Sequence, residues 1–445
     1  DMGTGKWNRL GWIVAAGPGF PPQTLLTSTT TRTPGLVANV DIAPTILSLQ
    51  GQPLFPGGAG HTLQSVASSA PFRTVERLDR QASAAANATV PILISYGVFA
   101  IGTTIAALIC LWFGVGKGIA RFGLLTVSAV LLTLLLVGYI APISVWHYGL
   151  LVLGLAAALA LGVHFAGLRL GVSPIGLLFC LLVAVICVDA LRGSPLVASA
   201  LLSGFYLTGI RFYGLGNEYT GFLIGALITG WGLVNTADSG IGKRVLILLC
   251  IVTTLLIGLP WFGADAGGAL TAAVTFTLAV VLSGGRKPLR ARHIAAAFVG
   301  AFVVVASLAV LDRLQGTAGQ THIGGAISAG QSRGLGAIWD IIVRKLVMNV
   351  GIASNGLTIA VIAGMLPIWV LLTRGRISDC LRALLTRRPT LRGVLIALLW
   401  GALTSAVFND SGIAMALILL APPTTAVIHE MLAEKSKVSN ALSSG

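Results

Sequence analysis

From Val90 onward the chain is written in long apolar runs separated by short polar interruptions. Eleven such runs fall at about 90–113, 122–141, 148–166, 174–191, 220–235, 245–262, 267–284, 293–311, 351–372, 393–408 and 412–428. Each is about long enough to carry a helix across a hydrocarbon core of ~30 Å. Backbone in lipid must satisfy its own hydrogen bonds, and no run alternates with the period of a barrel strand, so the runs are predicted as helices. The stretch 195–210 is apolar too, but Ser, Pro and Gly break it, and it reads as a re-entrant or interfacial piece. Ahead of the first run, 67–89 is expected to be a linker, partly helical, at the membrane surface: Val75 and Leu78 lie three apart with charges between them. Residues 1–66 are rich in Gly, Pro and Thr loops and predict a small soluble piece, and 429–445 predicts a cytoplasmic tail.

Composition agrees with that pattern. Of 445 residues, 55% are hydrophobic and 10% charged, with a mean hydropathy of +0.91, which excludes a soluble globular protein of this length. The fold class is therefore an all-α polytopic membrane protein of about eleven transmembrane helices (90–428), preceded by a small α/β element. A net charge of +15 raises the question of nucleic acid. The basic residues sit in short loops between apolar runs, where membrane topology accounts for them, so no nucleic-acid partner is expected. The five cysteines show no metal-ligand or redox spacing, and Cys110, Cys180, Cys187 and Cys250 lie inside apolar runs as small packing residues.

The basic residues also orient the chain. Loops after alternate runs hold Lys117, Arg121, Arg169, Lys243, Arg244, Arg286, Lys287, Arg290, Arg292, Arg374, Arg376, Arg382, Arg387, Arg388 and Arg392, and the C-terminus adds Lys435 and Lys437. The opposite loops hold only Arg192, Arg211, Arg313, Arg333, Arg344 and Lys345. This asymmetry predicts that the first set is cytoplasmic, the C-terminus inside and residues 1–66 outside, in a bacterial plasma membrane.

Within the first 66 residues, the string Gly35-Leu-Val-Ala-Asn-Val-Asp-Ile-Ala-Pro-Thr-Ile-Leu-Ser-Leu-Gln-Gly51 predicts a strand running into a capped helix. Leu36, Val37 and Val40 supply the strand, Asp41 can cap free N–H groups, and Pro44 is tolerated in a first turn. Ile42, Ile46 and Leu49 share a helical face, and Gly51 ends the helix. With Gly60-His-Thr-Leu63, this segment resembles the C-terminal edge of the alkaline phosphatase superfamily, whose cofactor-independent phosphoglycerate mutases, sulfatases and phosphodiesterases close with a similar Asp-Ile-Ala-Pro-Thr sequence. The resemblance covers about residues 10–65 and implies a domain whose nucleophile and most Asp/His metal ligands precede this ending. Residues 1–66 are then expected to be its remnant, truncated at Asp1, with any divalent metal held upstream and none bound here. His61 aligns with a variable position and is assigned no ligand role.

Four carboxylates fall at the predicted outer face: Asp189, Glu218, Asp265 and Asp410. Carboxylates at membrane depth or in tight interfacial turns are costly and mark functional sites by default. Glycines bracket them in Gly214-Leu-Gly-Asn-Glu-Tyr219, Gly263-Ala-Asp-Ala-Gly-Gly268 and Asn409-Asp-Ser-Gly412. Glu218, Asp265 and Asp410 are the catalytic candidates. Asp189, Arg211, Asn217, His322, Arg333 and Asn409 are the candidates for binding substrate, and the loop 312–349 is a candidate lid. His147, His164, His293 and His429 read as boundary residues.

Three functions fit these observations. The first, favoured by the Asp41 segment, is the membrane portion of an extracytoplasmic phosphatase-, phosphotransferase- or sulfatase-like hydrolase acting on a cell-envelope or lipid-linked substrate, with membrane lipids as its neighbours. The second is a transporter or flippase. The third is an integral-membrane transferase using a lipid-linked donor, with one carboxylate as general base. A transporter is expected to place its charges at the bilayer midplane, whereas the carboxylates cluster at one face.

Overall fold

The computed structural model describes residues 10–54, 60–140, 144–203, 211–235, 240–284, 288–314 and 335–443. The N-terminal piece is a two-stranded antiparallel sheet, β1 (Thr24–Thr27) and β2 (Gln64–Ala67), with Thr24 opposite Ala67 and Thr27 opposite Gln64. Between the strands lies the helix α1 (Ile42–Leu49), entered through a single 3-10 turn at Asn39–Asp41. Gly51 takes a left-handed φ of 66° just beyond α1, as a helix terminator does.

Two expectations for this piece need correction. The strand is at Thr24–Thr27 rather than at 36–40, because the chain from Leu36 turns into the 3-10 segment and has no neighbouring strand to pair with. Nor does the Asp41 side chain cap α1. The carboxylate is fully buried and turns back to accept from Ser28 Oγ (2.7 Å), Thr30 Oγ1 (2.5 Å), Ala38 N (3.2 Å) and His61 N (2.9 Å). It therefore ties the loop 28–38 to the return segment at His61. The apolar face of α1 is open, with Ile42, Ile46 and Leu49 all exposed.

The remaining chain is helical: α2 (Pro71–Phe113), α3 (Lys117–Leu136), α4 (Val145–Leu170), α5 (Pro174–Leu191), the short α6 (Pro195–Ser199), α7 (Asn217–Val234), α8 (Gly240–Gly258), α9 (Ala266–Leu282), α10 (Ala291–Leu314), α11 (Leu335–Ala353), α12 (Gly356–Leu372), α13 (Gly375–Arg387), α14 (Pro389–Phe408) and α15 (Gly412–Ser443). Among the described residues, eight helices are long and apolar enough to cross a membrane: α2, α3, α4, α5, α8, α10, α14 and α15. The count reaches nine if α11 and α12 form one span, broken by a 73° bend at Ser354–Asn355. Asn355 makes that break by accepting from Leu357 N (2.9 Å) as the cap of α12.

Other boundaries also differ from expectation. The linker and the first apolar run are one continuous 43-residue helix, α2, about 65 Å long. The basic loop after α12 is itself a helix, α13, and it tucks Ile377 and Leu384 inward. α15 runs past 428 without interruption, and His429, Glu430, Met431 and Leu432 are buried, so packing continues where a free tail was expected.

α7 occupies the interior of the bundle, with 14 of its 18 residues buried. α9 is similar, and both are rich in Gly, Ala and Thr, which lets neighbouring backbones approach. At Gly225 a Cβ would collide with the Leu419 carbonyl of α15, so only glycine fits. The outer helices α2, α4 and α8 instead turn Val98, Leu150 and Ile251 to the surroundings, as lipid-facing helices do.

Candidate functional site

The chain after α8 folds back on that helix. Gly263 N, Asp265 N and Ala264 N donate to the carbonyls of Leu256 (2.8 Å), Ile257 (2.9 Å) and Leu259 (3.0 Å), which satisfies acceptors that a helix end leaves free. The turn places Asp265 at the head of α9. Its Oδ1 accepts from Gly268 N (2.8 Å) and its Oδ2 from Thr220 Oγ1 of α7 (3.0 Å), with 4% of the residue exposed. The loop before α7 is zipped to the same turn. Leu215 N (2.9 Å) and Arg211 Nη1 (3.0 Å) both donate to Gly263 O. This approach requires Gly214, at φ 79°, because a Cβ there would overlap the Gly263 carbonyl.

Glu218 stands in the first turn of α7, where a carboxylate suits the positive end of the helix. Its carboxylate meets its own backbone N–H, and the charges acting on it are Arg211, attractive, and Asp265, repulsive. Among the described residues no donor from another residue reaches it. Next to it in sequence, Tyr219 is 1% exposed, and its hydroxyl has no partner among the described residues. Asn217 Nδ2 donates to Ser411 Oγ in the turn between α14 and α15. In that turn Asn409 packs on Gly267, gives Nδ2 to Met415 Sδ (3.0 Å), and accepts from Asn349 Nδ2 of α11 at its carbonyl (3.2 Å).

The structure thus brings Glu218, Asp265 and Arg211 together, with Asn217 and Asn409 on the adjoining turn. It gives the other candidates different roles. Asp410 points outward, 55% exposed, in an ion pair with Lys345 (3.2 Å). Asp189 accepts from Leu196 N (2.8 Å) and Val197 N (3.0 Å) and so caps α6, beside a separate cavity of about 430 Å³ lined by Tyr139, Val188 and Arg192. Burial is the main influence raising the Tyr139 hydroxyl above its ordinary pKa, and Asp189 adds to it. His322 and Arg333 lie outside the described residues, as does most of the loop proposed as a lid.

The N-terminal piece sits beside this cluster, at the end of the bundle where α7 and α9 begin, its mouth. Arg32 Nη1 donates to Pro260 O (3.0 Å), and the guanidinium lies 3.7 Å from the centre of the Tyr213 ring. Arg32 holds a left-handed φ of 53°, in the loop that Asp41 ties down. The buried Asp41 carboxylate therefore shapes the loop that touches Tyr213 and Pro260, the neighbours of Arg211 and Asp265.

A second polar cluster, at the opposite and basic end of the bundle, was not foreseen. Glu430 is 4% exposed; its Oε1 accepts from Ser173 Oγ (2.7 Å) and meets His429 Nδ1 (3.1 Å), and its Oε2 pairs with Arg388 Nη2 (3.1 Å). Arg121 of α3 also acts on Glu430, and its Nε is buried without a partner among the described residues. The signal was present as helical phase. Thr425 and His429 lie four apart on α15, Arg121 and Ser128 seven apart on α3, and Ser128 Oγ meets Thr425 Oγ1 (3.2 Å).

Among the described residues, no three His, Cys, Asp or Glu side chains group as a metal site. His61 Nδ1 is engaged with Thr30 Oγ1 (2.9 Å). Compared with protein-family models, curated proteins and solved structures, the chain matches none.

Proposed function

We propose that this chain is the membrane portion of an extracytoplasmic hydrolase or phosphotransferase of the alkaline phosphatase superfamily, acting on a lipid-linked or cell-envelope substrate. In this reading the mouth formed by Arg211, Asn217 and Glu218 receives the substrate's polar group, and the chemistry of ester cleavage belongs to the part of the domain that precedes the Asp41 segment. The observation that carries the reading is the seat of Arg32 on Tyr213 and Pro260, which joins the segment resembling a hydrolase edge to the polar mouth of the bundle. Glu218 offers acceptor oxygens to hydroxyl or amine groups. Arg211 engages Nη1 with the Gly263 and Ala264 carbonyls and has further N–H donors for a phosphate or sulfate oxygen.

The topology follows the same reading. Counting the interior helices α7 and α9 and the bent α11–α12 pair with the eight apolar helices brings the crossings to eleven. The basic loops then face the cytoplasm and the mouth faces outward.

The test uses the complete coding sequence expressed in membranes, with ester release measured from a soluble aryl phosphate or sulfate and from a bacterial membrane-lipid extract. Glu218→Gln is expected to leave the soluble reaction intact and to slow release from the extract by about tenfold, the loss that goes with one good polar contact. Equal rates on the extract for wild type and Glu218→Gln would reduce the bundle to an anchor. Absence of ester release in the wild type would refute the superfamily reading.

A further inference from the structure

α15 is anchored at both ends and weakened between them. At the mouth, Ser411 accepts from Asn217, and Ile413 N donates to Asn349 Oδ1 (3.1 Å). At the basic end, Glu430 is bound to Ser173 at the start of α5 and to Arg388 at the start of α14, while Glu434 pairs with Arg387 (2.5 Å). Arg388 Nη1 also reaches the Leu233 carbonyl at the end of α7 (3.4 Å). Between the anchors stand Pro422 and Pro423. Neither proline has an N–H, so the carbonyls of Ile418 and Leu419 lose their usual partners in the helix. Unpaired carbonyls of this kind are tolerated in membrane helices where neighbouring helices cover them, and Gly225 of α7 lies against the Leu419 carbonyl.

We infer that the half of α15 beyond Pro422–Pro423 is a gate, hinged at the proline pair and locked shut at the basic end by Glu430. Ser173, His429 and Arg388 bind the Glu430 carboxylate directly, and they draw α5 and α14 against α15. Arg121 faces the same carboxylate from α3 with a buried Nε that has no protein partner among the described residues. Deeper along α3 and α15, toward the proline pair, lies the Ser128–Thr425 contact. Ser128 is 3% exposed. Opening would connect the basic end to the polar seam between α3 and α15, a movement that an anchor does not need. The inference does not rest on the mouth being a substrate site.

The test uses Ser128→Cys as reporter, in the full chain with Cys110, Cys180, Cys187, Cys250 and Cys380 replaced. A membrane-impermeant maleimide is applied to vesicles with the basic end outward. The reporter is expected to be protected with Glu430 and Arg388 intact, and to label about tenfold faster in Glu430→Gln and in Arg388→Gln, as expected when a minor open state becomes a major one. Adding Pro422→Ala and Pro423→Ala to Glu430→Gln should return the labelling rate toward protection. Three results would overturn the inference: continued protection in both single variants, loss of the monodisperse protein in both, which would make the cluster a folding element, or fast labelling that persists without the prolines.

Discussion

Two glutamates, Glu218 at the mouth and Glu430 at the basic end, are placed in opposite ways. Glu430 is held by three side chains from three positions of the bundle and is almost wholly enclosed. Glu218 sits within range of Arg211 and Asp265 and takes no hydrogen bond from another described residue. A carboxylate whose oxygens are all engaged fixes helices in place. One that takes no donor from another described residue keeps acceptor capacity for a ligand. Asp265 shows that the distinction is local: a few residues away in space, it is closed by Gly268 N and Thr220 Oγ1 and acts as a cap.

Thermal unfolding of the purified protein sharpens this comparison. The largest effect is expected for Glu430→Gln, about 2 kcal/mol of lost stability, because charge-assisted hydrogen bonds to Arg388 are weakened in a buried site. Asp265→Asn is expected to cost about 1 kcal/mol: asparagine still caps α9, but the bond from Thr220 loses its charged acceptor. Asp410→Asn removes only a surface ion pair and should change stability by less than about 0.5 kcal/mol. Glu218→Gln should be as small, within about 0.5 kcal/mol, while its effect on turnover of membrane-derived ester is large. A Glu218→Gln loss matching that of Glu430→Gln would erase the difference between the two ends.

Much of the helical architecture was legible because lipid demands long apolar runs, and every predicted run overlaps a described helix. What escaped depends on individual polar contacts. The bend between α11 and α12 turns on one capping residue, Asn355, inside an otherwise apolar stretch. Asp189 looked like a site residue because it ends an apolar run, yet it serves the five-residue helix α6. The fall of hydropathy at His429 marks it as a boundary residue, yet helical phase carries it and Glu430 inward against α3 and α5. The helix after Asp41 was legible from its apolar spacing and Gly51, but the Asp41 carboxylate works on the loop 28–38, a tertiary pairing with Ser28 and His61 that no local pattern announces. Arg211 and Glu218 were legible as a pair because both lie in one short Gly-rich string.

The most direct measurement is carbodiimide modification of the purified full chain, with amine capture read residue by residue by mass spectrometry. The account predicts that Asp410 and Glu218 are modified readily, with Glu430 and Asp265 at least about tenfold slower, as befits carboxylates that must first open a locally stable structure. Modification of Glu430 as fast as Glu218 would contradict the account.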